Sequence, residues 1–280
     1  METSIQKQLQ DAQLYILKEI DKVCSILGID YFLAFGTAIG AVRHQGFIPW
    51  DDDIDIYMSF DDLKKLESHR ELFPPHIFVQ NSRTDSEYGL MITRIRNSNT
   101  TLIENEEINR DINHGIFVDI YPLYNAPTNK SALKAMCRWS LVGRLFLYGE
   151  PPRNHGMLMK IISIMVLKIT PKAIKKGIVD KSYEKVGQYK ETGFLTRARK
   201  DGKSVPVFPK DYFFPAQRVV FEDMLAPVPA KNHEILTILY GDYMKLPPEE
   251  KRVVHHNYRK VDCNNSYKKY KGIEYCLKKG

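Results

Sequence analysis

The sequence has 280 residues, enough to bury a sizeable core as one large domain or as a core with an appendage. Its hydrophobic fraction of 43% and charged fraction of 27% are ordinary for a soluble protein. The net charge of +7 favours an anionic partner, either a nucleic acid, a phosphate-bearing substrate or an anionic membrane face. The four cysteines have no CxxC spacing and the N-terminus lacks a basic-then-apolar segment. These features predict free thiols in a reducing compartment and no secretory signal.

The chain opens with a helical pattern. Residues from about Ser4 to Leu27 place apolar side chains on one stripe and charged ones opposite, which predicts a helix that packs on a core. The stripe consists of Leu9, Ile16, Leu17, Ile20, Val23, Cys24 and Leu27. Gly28 is well placed to end this helix. The apolar run Tyr31–Phe35 predicts a buried strand, and a short helix is predicted at Ala38–Val42.

A glycine turn joins this strand to the short helix. The backbone N–H groups of Gly36 and Thr37, with the Thr37 hydroxyl, predict a cradle for phosphate. An ordinary strand-to-helix turn is the alternative, and the turn alone would favour it. The phosphate interpretation depends on the aspartates that follow. Arg43 and His44 lie between the turn and those aspartates as candidate phosphate ligands, with Arg43 the better one because its guanidinium is bidentate.

Four aspartates in five residues follow a loop through Gly46, Pro49 and Trp50. Asp51, Asp53 and Asp55 share one parity, and a strand is predicted from Asp53 to Tyr57. On that strand Asp53 and Asp55 point the same way while isoleucines face a core. Two carboxylates on one face repel each other, and a hard divalent cation such as Mg²⁺ would neutralise them.

Further elements are predicted beyond the aspartates. They are a helix at Phe60–Leu72 and strands at His76–Gln80, Tyr88–Asn97 and Gly115–Ile120. Arg94 and Arg96 share one strand face, which either meets an anionic substrate or is solvated. Asp119 interrupts a hydrophobic strand, so its charge needs a cation, a basic partner or a hydrogen-bond network.

The second half of the chain carries weaker signals. A linker at Asn125–Ser131 precedes apolar, helical patterns at 132–149 and 157–169. The second pattern is too short to span a bilayer. It predicts a packed helix, with a helix lying on an anionic membrane surface as the alternative. A helix is also predicted at Asn232–Tyr240. The adjacent His255 and His256 do not match zinc-ligand spacing. The lysine-rich tail from Lys268 predicts a mobile end.

Three motifs carry a resemblance to a known family. The string GTAIGAVRHQGFIPWDDDIDI at 36–56 resembles the LicD family of phosphocholine transferases, to which fukutin-type proteins are related. The likeness continues at His114–Leu123 and at Leu239–Pro248. A Gly-Thr turn followed by alternating aspartates is also similar to the signature of the nucleotidyltransferase, or polymerase-beta-like, fold.

The resemblance implies an α+β fold: a nucleotidyltransferase core with a mixed sheet flanked by helices, and a helical insertion. We predict the catalytic core at 1–125, the insertion at 126–204, and a C-terminal segment at 205–280 that packs on the core. The family site implies Asp53, Asp55 and Asp119 as catalytic ligands of Mg²⁺ or Mn²⁺. The residues expected to bind substrate are Gly36, Thr37, Arg43 and His44. Asp51 is expected to contact the residues that bind the metal, without binding the metal itself.

The activity that the resemblance implies is transfer of phosphocholine from CDP-choline to a hydroxyl of a cell-surface glycan precursor of teichoic acid or lipopolysaccharide type. The same fold could instead move glycerol phosphate, ribitol phosphate or a nucleotidyl group. A basic nucleic-acid-binding module is a remote alternative that lacks a matching motif, and no nucleic-acid partner is expected. The expected location is the cytoplasm, with the inner membrane face as an alternative position.

Overall fold

The structure is a computed structural model that describes residues 3–151, 156–200, 204–254 and 256–277, without the side chains of residues 3 and 4. Its helices are α1 (Thr3–Leu27), α2 (Phe35–His44), α3 (Phe60–Ser68), α4 (Lys130–Tyr148), α5 (Met157–Ile169), α6 (Lys172–Gly187) and α7 (Asn232–Tyr240). Its strands are β1 (Tyr31–Leu33), β2 (Asp55–Ser59), β3 (Ile77–Gln80), β4 (Thr93–Asn97), β5 (Thr101–Glu104), β6 (Ile116–Asn125), β7 (Phe194–Thr196), β8 (Phe208–Pro209), β9 (Gln217–Phe221), β10 (Met224–Val228) and β11 (Tyr258–Asp262).

The chain divides into two compact units. The first contains Met1–Gln80, Ile92–Pro122 and Asp211–Gly280, and the second contains Asn81–Met91 and Leu123–Lys210. The predicted α+β class, with a sheet and flanking helices, is confirmed. Within the described residues, no helix combines the length and apolar character needed to cross a membrane.

The first unit is built on a sheet with the strand order β1-β2-β6-β4-β3. The pairs β1–β2, β4–β6 and β3–β4 are antiparallel. One isoleucine from each of β2, β4 and β6 is fully buried in the core, namely Ile56, Ile95 and Ile120. The helix α1 adds its apolar stripe to the same core, where the predicted residues from Leu9 to Cys24 are buried. The predicted packing of α1 is therefore confirmed.

Element boundaries differ from the predictions where aspartate or glycine lies at an end. The strand predicted from Asp53 begins at Asp55, because Asp53 and Ile54 lie in irregular backbone. The helix predicted from Ala38 begins at Phe35, so Gly36 and Thr37 form its first turn rather than a turn before it. Helix α3 ends at Ser68, and a short 3-10 helix at Arg70–Leu72 follows.

The C-terminal part of the first unit contains two small sheets that the sequence did not reveal. Strands β9 and β10 form one antiparallel hairpin, and β11 pairs antiparallel with β5. The tail beyond Lys268, which the sequence predicts to be mobile, is placed against the unit as far as Leu277. Its Tyr275 is buried with its ring centroid 4.4 Å from that of His114. A buried aromatic side chain anchors a segment whose lysines alone suggested a solvated tail.

The second unit contains the helices α4, α5 and α6 together with the short strands β7 and β8. The predicted helices at 132–149 and 157–169 correspond to α4 and α5. Helix α4 packs closely on α6, since a Cβ added at Gly143 would lie 2.8 Å from the Ser182 Cβ. The predicted boundaries of the insertion, at 126 and 204, stay predictions.

Candidate active site

Backbone hydrogen bonds bring the predicted aspartates together at the N-terminal end of β2. The Asp55 carbonyl accepts a bond from the Ala34 N–H at 2.9 Å, which ties the strand start to the end of β1. On the other side, the Asp119 N–H donates to the Ile54 carbonyl at 3.0 Å. Asp119 in β6 therefore lies beside the Asp53–Asp55 segment, as the resemblance implies.

The first turn of α2 meets the same aspartates. The Thr37 hydroxyl is buried and accepts the Asp55 N–H at 2.9 Å, so this side chain fixes the start of β2. Gly36 provides the space that Asp51 occupies, since a Cβ there would lie 2.8 Å from Asp51 Oδ2. The predicted role of Gly36 and Thr37 in gripping phosphate stays a prediction.

Burial, with the charges of neighbouring carboxylates as a further cause, raises the pKa values of Asp51, Asp53 and Asp55. Burial, followed by the charges of Asp53 and Asp52, raises the pKa of Asp51 to about 8. Burial also raises the pKa of Asp53 to about 6, and the pKa of Asp55 well above its usual value, with Asp53 and Asp119 adding to the effect on Asp55. Each shift means that the ionised form is unfavourable without a nearby cation.

The donor set fits a hard divalent cation. Among the described residues, oxygen atoms of Asp51, Asp52 and Asp53 lie within 4.8 Å of one another, whereas the predicted trio of Asp53, Asp55 and Asp119 does not form such a group. The buried oxygens Asp52 Oδ2 and Asp55 Oδ1 make no hydrogen bond. A buried carboxylate oxygen with no partner is costly. Mg²⁺ and Mn²⁺ prefer such oxygen ligands and would satisfy them.

Asp119 differs from the other carboxylates because an arginine already contacts it. The Arg94 Nε donates to Asp119 Oδ1 at 2.8 Å, and the same guanidinium pairs with Glu104. Burial raises the pKa of Asp119, while Arg94 opposes that shift. Of the alternatives that the sequence left open for Asp119, the structure shows the basic partner, Arg94, and a cation stays a prediction.

The solvated-face alternative for Arg94 and Arg96 is wrong. Both side chains are buried, and both guanidinium groups lie over the Phe117 ring. Arg96 donates to the Gly115 carbonyl at 2.7 Å and pairs with Glu107. The parity pattern predicted that they share a face but could not show that β6 and buried glutamates cover it.

Arg43 and His44 occupy the last turn of α2, whereas Gly36 and Thr37 occupy its first turn. A rise of about 1.5 Å per residue separates the two pairs by roughly 10 Å along the axis. The Arg43 Nη1 donates to the Tyr243 carbonyl at 2.7 Å, and its Nε donates to His44 Nε2 at 3.0 Å. The structure thus gives Arg43 a role in holding the C-terminal segment, and its predicted phosphate contact stays a prediction.

Helix α1 supports the aspartates with polar side chains that the sequence did not single out. Gln10 Nε2 donates to the Asp51 carbonyl and Gln13 Nε2 to the Asp52 carbonyl, both at 2.9 Å. Gln6 Nε2 donates to the Pro49 carbonyl at 2.8 Å. Glutamines at helical spacing beside an apolar stripe were the available signal, but nothing in the sequence identified their acceptors.

The sequence also missed His256, which reaches the site from the far end of the chain. Its Nδ1 lies 2.9 Å from Asp52 Oδ1, and its Nε2 lies 3.7 Å from Asp53 Oδ2. The hydrogen bond with Asp52 raises the pKa of His256 to about 9, so the ring is protonated at neutral pH. Tyr258 follows, and its hydroxyl donates to the Asp52 carbonyl at 3.4 Å. The neighbouring His255 lies outside the described residues.

Aromatic rings border the carboxylates. The Phe35 ring lies 4.9 Å from that of Tyr57 and 5.1 Å from that of Tyr121, measured between centroids. Burial raises the pKa of the Tyr121 hydroxyl, and the charges of Asp55 and Asp119 raise it further. Phe35 adopts a φ of 48°, an uncommon conformation for a residue other than glycine. Such strained residues cluster at functional sites.

Comparison with known proteins shows which proteins the chain is similar to. Residues 28–138 match the model of a family described as the LicD/FKTN/FKRP nucleotidyltransferase domain. The chain is 28% identical over 269 residues to the lipopolysaccharide cholinephosphotransferase LicD of Haemophilus influenzae, covering 89% of this chain and 96% of that protein. It is also 43% identical over 52 residues to an uncharacterized protein of Rickettsia prowazekii, covering 19% of this chain and 20% of that protein.

Proposed function

We propose that this chain, whose residues 28–138 carry a LicD-family nucleotidyltransferase domain, is a transferase that moves phosphocholine from CDP-choline to a hydroxyl of a glycan precursor. The relative from Haemophilus influenzae, aligned over most of both chains, supports the phosphocholine cargo. The name of the same relative supports a lipopolysaccharide-type acceptor, and a teichoic acid is the other acceptor that the family resemblance implies.

The unpartnered oxygen Asp55 Oδ1 carries the proposal. It is buried, ionisation of its carboxyl is disfavoured, and Asp53 and Asp119 add further negative charge. Such an arrangement costs stability, and a bound cation would offset that cost. Asp53, Asp55 and Asp119 would hold Mg²⁺ or Mn²⁺, and Asp51 and Asp52 would support it.

A divalent cation bound there would neutralise the diphosphate oxygens and lower the pKa of the acceptor hydroxyl. Within the chain, the Thr37 hydroxyl holds Asp55 in place, and Arg94 orients Asp119. The acceptor oxygen forms a bond to the phosphorus of phosphocholine while the bond from that phosphorus to the bridging oxygen breaks. CMP leaves with that oxygen. Asp119, whose pKa is raised by burial, is the candidate to take the proton of the acceptor hydroxyl; the alternative is that it serves only as a ligand of the cation.

The aromatic border supports choline over glycerol or ribitol as the cargo. Phe35 and Tyr121 are half-buried beside Asp55 and Asp119. A quaternary ammonium group is attracted to aromatic faces by about 0.5–2 kcal/mol. Glycerol and ribitol phosphates present hydroxyl groups, which gain nothing from such faces.

The test is release of CMP from CDP-choline and from CDP-glycerol, in the presence of Mg²⁺ and a lipopolysaccharide or teichoic acid precursor. We expect Asp55→Asn to lower the rate by about a thousandfold, because the site loses the charge that offsets several kcal/mol in the transition state. Asp61→Asn changes an exposed aspartate on α3 and should keep full activity. Melting temperatures with and without Mg²⁺ give a second readout: Mg²⁺ should stabilise the unaltered protein and not Asp55→Asn.

The results of these assays distinguish an error in the proposed metal site from an error in the proposed phosphocholine cargo. Full turnover in an Asp53→Asn/Asp55→Asn double variant would refute the proposed site. CMP release from CDP-glycerol alone, still abolished by Asp55→Asn, would keep the site and overturn the cargo. Salt-sensitive RNA binding that survives the double substitution, without CMP release, would favour the nucleic-acid alternative.

A further inference from the structure

Helix α5 exposes an apolar surface on most of its circumference. Ten of its 13 residues are exposed, and the side chains that it buries are Ser163 and Leu167, one turn apart. The large apolar residues among the exposed ones are Met157, Leu158, Met159, Ile161, Ile162, Ile164, Met165 and Ile169. A helix that packs by one face normally shows polar residues on the others. An apolar surface of this extent marks a site of contact with another apolar phase.

The charged residues of α5 and of the first half of α6 are all lysines. Lys160 and Lys168 are exposed on α5 itself, and Lys172 and Lys176 are exposed at the start of α6. The sequence from Gly156 to Val179 contains five lysines and no aspartate or glutamate. Long lysine side chains extend their ammonium groups away from an apolar surface toward water and phosphate. The surface therefore offers apolar groups bordered by positive charge.

We propose that α5 lies in the plane of an anionic lipid bilayer, with its exposed apolar side chains among the upper acyl chains and its lysines at the phosphate level. The helix is about 20 Å long, at 1.5 Å per residue, which is too short to span a bilayer. Apolar area and attraction of lysines to anionic lipid together give such helices their affinity. A second copy of the chain fits poorly as the occupant, because it would bring five more lysines to the same surface.

The first experiment measures flotation of the full chain with vesicles of phosphatidylcholine alone or mixed with phosphatidylglycerol. The test variant is Leu158→Gln/Ile161→Gln/Met165→Gln, whose residues are 73%, 48% and 53% exposed. The matched control is Ile26→Gln/Leu225→Gln/Ile238→Gln in the first unit, at 68%, 54% and 61%. We expect the unaltered chain and the control to float with the mixed vesicles. The test variant should partition at least about tenfold more weakly, because three side chains no longer leave water.

A second variant tests the charge and leaves the apolar surface intact. Lys160→Gln/Lys168→Gln/Lys172→Gln/Lys176→Gln should float poorly with the mixed vesicles and lose the dependence on phosphatidylglycerol. The control, Lys130→Gln/Lys134→Gln/Lys245→Gln/Lys268→Gln, removes four exposed lysines elsewhere and the same net charge. Every substituted side chain is exposed, so we expect each variant to fold. Circular dichroism and melting temperatures check this.

The proposal is independent of the reaction, because flotation needs neither donor nor acceptor. It is overturned if the unaltered chain stays with the unbound fraction, or if the α5 variant floats as well as its control. It is also overturned if the chain is a dimer that the α5 variant dissociates while mixed vesicles bind neither form. In that case a second copy covers α5.

Discussion

His114 is a fully buried histidine whose ring stays neutral beside the buried arginines of β4. Its Nε2–H donates to the Arg110 carbonyl at 3.1 Å, and its Nδ1 is buried without a hydrogen bond. Burial, with the charge of Arg96 second, lowers the pKa of His114 from 6.5 to about 4. The folded protein therefore keeps this ring neutral where the unfolded chain binds a proton.

This shift predicts a loss of stability in mild acid. Between pH 6.5 and about 4 the unfolded chain holds a proton on His114 that the folded chain lacks, so the free energy of unfolding falls as the pH falls. From pH 7 to pH 5 the contribution is about 2 kcal/mol. Urea unfolding of the unaltered protein and of His114→Phe at both pH values measures it.

The phenylalanine variant is the control because it keeps a ring against Tyr275 but cannot titrate. The clustered aspartates titrate equally in both proteins and cancel in the difference. His114→Phe should therefore lose about 2 kcal/mol less than the unaltered protein over this range. Equal losses in the two proteins would show that His114 is protonated in the folded state.

At the same scale, the sequence predicted Asp53 and Asp55 because a repeated aspartate on a strand has few structural uses, and the family resemblance implied Asp119 as the third carboxylate. It could not predict Arg94 as the partner of Asp119. That pairing depends on the register of β4 against β6, which places the two residues directly opposite each other. Strand register arises from the packing of the whole sheet and is not visible in either strand alone.

At the scale of elements, α2 depends on a close approach to the loop that carries the aspartates. A Cβ added at Gly40 would lie 2.4 Å from the Gly46 carbonyl oxygen and 3.2 Å from the Ile48 nitrogen. These atoms belong to backbone and cannot move aside like a flexible side chain. Gly40 thus sets the distance between α2 and the segment leading to Asp51.

We predict that Gly40→Ala destabilises the protein by about 1–3 kcal/mol and lowers CMP release, because the loop must move away from α2. The measurements are urea unfolding and the CDP-choline assay. Gly177→Ala is the matched control in the middle of α6, where an added Cβ meets nothing within 4 Å. It should gain about 0.5–1 kcal/mol from helix propensity and keep its activity. Equal stability changes in the two variants would contradict the close approach.

Elements with a sustained apolar pattern were predictable, and several short strands were not. Helix α1 and the helices α4 and α5 lie within a few residues of their predicted bounds because each has a sustained apolar pattern. The short strands β9, β10 and β11 escaped prediction, since pairing rather than composition makes them strands. The exposure of the apolar side chains of α5 could not be predicted either, because the apolar pattern of this helix resembles that of a buried helix.

At the scale of the whole molecule, the first unit is closed by contacts between residues far apart in the sequence. Gln13 and His256 both hold Asp52, one from α1 and the other from the segment before β11. Asp52 is fully buried between them. The motif at 36–56 therefore supplies Asp51, Asp52, Asp53 and Asp55, while α1 and the segment before β11 hold the Asp52 backbone and side chain in position.

This arrangement predicts that His256→Ala lowers the rate of CMP release from CDP-choline by about 10- to 100-fold, the usual cost of losing a partner that orients a metal ligand. The reason is that Asp52 loses its side-chain hydrogen bond and Asp53 loses a nearby positive charge. Tyr258→Phe removes only a longer bond to the Asp52 carbonyl and should have a smaller effect. His76→Ala is the control, because that ring contacts the Tyr15 hydroxyl instead. Mg²⁺ titrations of each variant distinguish weaker ion binding from slower transfer. Unchanged kinetics in His256→Ala would contradict the prediction and show that the aspartate loop keeps its geometry without this contact from the C-terminal segment.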